Sequence, residues 1–103
     1  MPKINGNEIF IRNQVTEKGK KLVSSCNTPN EGRIILQNLM GNVIKIEDVD
    51  PSYDAVLTAT REIMDRVTID KAVIDDFVSF FVPAILILGT GEVRQILLEE
   101  ETN

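Results

Sequence analysis

Apolar positions recur at helical spacing through most of this chain, most regularly over 53–67. Tyr53, Val56, Leu57, Thr60, Ile63, Met64 and Val67 form one stripe at three- and four-residue intervals. Arg61 with Asp65 and Glu62 with Arg66 make i,i+4 pairs on the opposite face. Asp50 as N-cap and Pro51 at the first helical position start this element, so the pattern predicts a helix over 51–67. A second helix is expected over 69–82, capped by Thr68. Its polar arc holds Lys71, Asp75, Asp76 and Ser79, while Ile69, Val73, Ile74, Phe77, Val78, Phe80 and Phe81 cover about half the circumference. That arc is wider than one neighbouring helix needs. Either a central position in the monomer or a second chain accounts for it.

Upstream, Thr28-Pro29-Asn30-Glu31 reads as a capping box with proline at the first helical position. Ile35, Leu36, Leu39 and Met40 follow at helical spacing, and Gly41 is a natural stop, giving a helix over 29–40. Val43–Ile46 reads as a short strand or an extended connector. Residues 3–15 read as a β-element, from the Asn5-Gly6 turn signal and the β-formers Ile9, Phe10, Ile11 and Val15. Residues 16–26 fit either a short helix or the return arm of a hairpin. Downstream, Pro83 interrupts helical hydrogen bonding. Periodicity leaves Ala84–Leu88 open between helix and strand. Gly89-Thr90-Gly91 reads as a tight turn with Thr90 as cap of a last helix over 91–99, with Val93, Ile96 and Leu97 inward.

These elements predict a mainly α (α+β) fold. Three to four amphipathic helices form a small bundle around Met64, Phe77, Phe80 and Leu97, with a short N-terminal β-element. The 103 residues fit one domain, residues 1–27 as β-element and connector and 28–100 as helical core.

Composition narrows the chemistry. The chain has no histidine and one cysteine, Cys26. Ser-His-Asp and Cys-His catalysis, histidine-ligated metals and an intrachain disulfide are therefore outside its reach. No enzyme, metal or cofactor is expected, and a single cysteine points to a reducing, cytoplasmic setting. The apolar run Phe77–Leu88 spans twelve residues broken by Ser79 and Pro83, short of the ~20 that cross a membrane. No apolar leader stands at Met1–Gly6, so no secretory signal is expected. The net charge of −5 is unevenly divided: residues 1–45 carry +4 and residues 46–103 carry −9.

Several segments invite a chemical reading. Ile85–Arg94 resembles a strand, glycine turn and helix that hold a dinucleotide phosphate. Arg94, however, occupies the third glycine position and nine residues follow it. Glu47–Asp54 gathers four carboxylates. Counted from Asp48, the position that needs glycine in an EF-hand is Tyr53, and the one that needs glutamate is Ala59. Val15–Leu22 resembles the segment after the wing in winged-helix regulators. Those carry a full helix-turn-helix upstream, which the fourteen residues before Val15 do not hold. Met1–Ile9 is similar to the start of some bacterial elongation factor P chains, a family longer and less helical than this chain. Neither likeness is carried over. Arg12, Lys18, Lys20 and Lys21 are the candidates for phosphate contact in a nucleic acid. Against that role stand the acidic remainder and the scarcity of stacking aromatics.

The remaining signal is apolar. Phe77, Val78, Phe80, Phe81, Ile85 and Leu88 suggest an interface as readily as a core. The expected function is a non-catalytic protein–protein interaction module, a small self-associating adaptor, assembly factor or regulator. Its expected partners are a second copy, as a homodimer, and another protein. The alternatives are a nucleic-acid-associated regulator and a small-ligand-binding protein.

Overall fold

A computed structural model describes residues 6–99. Five helices follow in order: α1 (Gly6–Ser24), α2 (Pro29–Glu47), α3 (Tyr53–Met64), α4 (Lys71–Leu88) and α5 (Thr90–Arg94). A π-helical turn, Gln95–Glu99, continues α5. No strand occurs among the described residues. The mainly α expectation holds, with five helices among the described residues in place of three to four.

The N-terminal β-element does not. Residues 6–15 open α1, and the part of that element before Gly6 lies outside the described residues. The ambiguous 16–26 segment is helical through Ser24. Ile9-Phe10-Ile11 is a β-favouring run, but Val15, Gly19 and Leu22 share one buried helical face. Burial of that face against α4 overrides the local preference.

Helix α2 begins at the expected place, with one half of the capping box: the Thr28 hydroxyl accepts from the Glu31 amide at 3.1 Å, and the Glu31 carboxylate does not return to the Thr28 amide. It then runs through Gly41 to Glu47, so Val43–Ile46, expected as a short strand or an extended connector, is helical instead. Val43 is fully buried on the stripe of Leu36, Leu39 and Met40, and this burial carries the helix past its glycine. Gly41 has ordinary negative φ, and a Cβ added there would meet nothing within 4 Å. Gly41→Ala is therefore expected to raise stability by about 1 kcal/mol, the helix-propensity difference, read as a higher urea midpoint.

The capping residues of α3 and α4 shift from those expected. Ser52, not Asp50, caps α3, accepting from the Ala55 amide at 3.2 Å, while Asp50 accepts from the Ser52 amide. Asp70, not Thr68, caps α4, accepting from the Ala72 amide at 2.9 Å. Of the two expected i,i+4 pairs, Arg61–Asp65 forms at 3.6 Å. Glu62 instead accepts from Asn42 of α2, whose amide also donates to the Ala59 carbonyl. Arg61 reaches Asp75 as well, at 3.1 Å, tying α3 to α4.

Helix α4 is the centre of the bundle. It packs on α1, α3 and α5, and it passes through Pro83 without ending at Val82. Val82, Ala84 and Ile85 are buried on both sides of the proline, so packing offsets the lost backbone bond. The open choice at Ala84–Leu88 thus resolves to helix. Phe77 and Phe81, one turn apart, stack at 5.3 Å and are wholly enclosed. At Gly89, φ is +92°, which suits glycine and turns the chain into α5. Gly89 takes the N-cap position expected for Thr90, whose hydroxyl instead donates to Glu47 of α2. All these buried side chains form one cluster, and no buried side-chain polar atom among the described residues lacks a partner.

Two helix crossings depend on glycine. Gly32 of α2 sits against Val23 of α1, and Gly19 of α1 sits against Leu97 of the π-turn.

Candidate functional site

The antiparallel pair α1 and α4 brings the beginning of one helix to the end of the other. Lys18 meets Asp76 at 2.8 Å, Phe10 meets Phe80, and Arg12 reaches Glu92 of α5. The chain's basic first part thus lies against its acidic second part. The charge division seen along the sequence is partly cancelled by folding.

This placement changes the candidate residues. Phe77, Val78, Phe81 and Ile85 are at most 3% exposed, because the monomer itself covers them. They belong to the core and present nothing to a partner. Phe80 and Leu88 are only partly buried and lie at its edge. The exposed apolar surface at this end is supplied by other residues. Ile9 and Phe10 project from α1, and Leu86 and Ile87 from α4, each 41–53% exposed. The Phe10 ring meets the Phe80 ring edge-on, with centroids 6.1 Å apart. Ile87 and Leu88, together with Glu8, Arg12 and Glu92, line a cleft of about 490 Å³ at the junction of α1, α4 and α5.

Sequence reasoning missed Ile9, Phe10, Leu86 and Ile87. The signal was available for α4: Leu86 and Ile87 fall off the stripe Phe77, Phe81 and Ile85. For Ile9 and Phe10 it was hidden by the β reading, since only a helix separates them from the Ile11, Val15 and Leu22 face.

The basic candidates are dispersed by their partners. Arg12 is paired with Glu92. Lys18 is paired with Asp76 and stands 5.7 Å from the centre of the Phe80 ring. Lys20 and Lys21 are exposed near the end of α1. Two of the carboxylates of 47–54 have structural roles: Asp50 holds the turn before α3, and Glu47 accepts from Thr90 at the start of α5. Among the described residues, no group of three or more Asp, Glu, Cys or His side chains could hold a metal ion. The Ile85–Leu88 segment is helical, so the strand that a dinucleotide turn requires is not there.

Cys26 follows α1, and its thiol donates to the Leu22 carbonyl at 3.4 Å. Burial raises its pKa above the ordinary thiol value, and the nearby Glu31 carboxylate adds to the rise. At neutral pH the group is a thiol, not a nucleophilic thiolate.

Among the described residues, no helix is long and apolar enough to cross a membrane. No family model, curated protein or solved structure matches this chain.

Proposed function

We propose that this chain is a non-catalytic interaction module that self-associates through the exposed end of the α1–α4 pair. The observation that carries the reading is the exposure of Ile9 and Phe10 on α1 and of Leu86 and Ile87 on α4, two helices joined by the Phe10–Phe80 contact. Ile34, Ile44, Val49 and Tyr53 are exposed elsewhere, on α2, α3 and their connection, whereas Ile9, Phe10, Leu86 and Ile87 lie at one end of the antiparallel α1–α4 pair. Apolar surface shared by two packed helices is a usual mark of a protein-facing surface. A second copy is the chosen occupant because the rim carries both signs, through Arg12 and Glu92. Two identical faces related by a two-fold axis can then meet without a wall of like charge. As a homodimer, the module would serve as an adaptor, assembly factor or regulator for another protein. The lone Cys26 supports a cytoplasmic setting. The nucleic-acid reading is weaker, since acidic partners already occupy Arg12 and Lys18.

Sedimentation velocity tests the proposal. The protein is expected to move from monomer to dimer mass as concentration rises into the high micromolar range. The Phe10→Glu/Ile87→Glu double variant should weaken that association at least about tenfold. Because both side chains are half exposed, its helical circular dichroism should match the wild type. A wild-type protein that stays monomeric, or a folded double variant that dimerises equally well, overturns the reading.

A further inference from the structure

A second concavity lies at the opposite end of the bundle, between the first turns of α2 and the end of α3. Glu31, Ile35 and Asn38 form one wall, spaced at i, i+4 and i+7 on a single face of α2. Ile63, Arg66, Val67 and Thr68 form the other. The cleft is open to solvent and its volume is about 270 Å³, just below the usual range for ligand clefts, so it suits a small molecule and not a nucleotide.

The cleft carries one charge of each sign, Glu31 and the exposed Arg66, and like Lys20, Lys21, Arg33 and Lys45 neither has an ion pair among the described residues. Elsewhere Arg12, Lys18 and Arg61 each hold a carboxylate of a neighbouring helix. Here the Glu31 carboxylate and the Arg66 guanidinium share one cleft without pairing with each other. No ion pair or side-chain hydrogen bond to another described residue engages either of them. The Asn38 amide and the Thr68 hydroxyl beside them are likewise unbonded within the described residues. Between the polar groups lies an aliphatic floor of Ile35, Ile63 and Val67, all partly buried against the core.

We infer that this cleft binds a free aliphatic α-amino acid of the size of valine or leucine. Glu31 takes the ammonium group, with the Asn38 side-chain oxygen as a second acceptor. Arg66 takes the carboxylate, with the Thr68 hydroxyl as a second donor. The aliphatic side chain lies on Ile35, Ile63 and Val67, where it removes apolar surface from water. A zwitterion is the ligand class because one short molecule must satisfy both signs and still present an apolar body. The site is independent of the self-association surface, which lies at the other end of the bundle.

The test is an amide-resolved NMR titration of the full chain with L-leucine, repeated with glycine, N-acetyl-L-leucine and L-leucinamide. Leucine is expected to shift amides of residues 31–38 and 63–68 saturably, with Kd in the millimolar range or below. Each analogue loses one recognised group, and each should bind about tenfold more weakly, the factor that corresponds to ~1.4 kcal/mol. In Arg66→Gln the preference for leucine over leucinamide should disappear. In Glu31→Gln the preference over N-acetyl-leucine should disappear. Both variants alter surface groups, and unchanged helical circular dichroism confirms that they fold. Absence of saturable shifts overturns the inference, as do shifts confined to other residues or equal binding of leucine and its two charge-deleted analogues. Retained or lost dimerisation of Phe10→Glu/Ile87→Glu has no bearing on this outcome.

Discussion

Phe77→Ala is expected to cost about 3–5 kcal/mol of folding stability, read as a lower urea midpoint with an unchanged slope. Phe77 is fully enclosed and stacks on Phe81 within the same helix. Truncation removes the burial of an aromatic ring and leaves a cavity in α4, the element on which α1, α3 and α5 all pack. A small domain holds about 5–15 kcal/mol in total, so the variant should be partly unfolded at ordinary temperature. Measurement at low protein concentration keeps any contribution from self-association out of the comparison. A loss under about 1 kcal/mol would mean that the ring is more accessible than its packing shows, and would return Phe77 to the interface candidates.

Gly32→Val should be nearly as damaging, with an expected loss of at least about 3 kcal/mol. A Cβ at Gly32 would stand 2.9 Å from Val23 Cγ1 and 3.0 Å from Val23 Cα. The second of these atoms is backbone, so α1 itself must move. Its retreat is opposed by the burial of Val15, Gly19 and Leu22 against the rest of the bundle. The small gain in helix propensity over glycine does not compensate. The contrast with Gly41→Ala separates packing from propensity. Both glycines are interior positions of α2, yet one is pressed against a neighbouring helix and the other faces open solvent.

How far the site could be read from the sequence depends on which physical signal each residue carries. The central stripe from Val56 to Met64 and the aromatic-rich α4 were visible because burial at 3.6-residue spacing is a local pattern. The same pattern reports only that a side chain leaves water. It does not say whether its own chain or another covers it. Phe77, Val78, Phe81 and Ile85 therefore looked as suitable for an interface as for a core. Glu31 and Arg66, thirty-five positions apart, had no reason to be considered together until α2 and α3 placed them on one cleft.

Local chemistry was enough to establish a mainly helical chain, the Thr28 start of α2, the turn at Gly89, and the lack of histidine- or disulfide-based chemistry within it. These follow from hydrogen-bond capping, backbone sterics and residue inventory, which act within a few positions. Tertiary packing decided the rest. It made α1 a helix against the preference of Ile9, Phe10 and Ile11, and it carried α2 past Gly41 and α4 through Pro83. It also set Arg12 and Lys18 against Glu92 and Asp76. For the three helices the free energy of burying a face exceeds a local preference of about 1–3 kcal/mol, while the ion pairs follow from the packing and do not drive it. Only the assembled bundle determines which faces and charges those are.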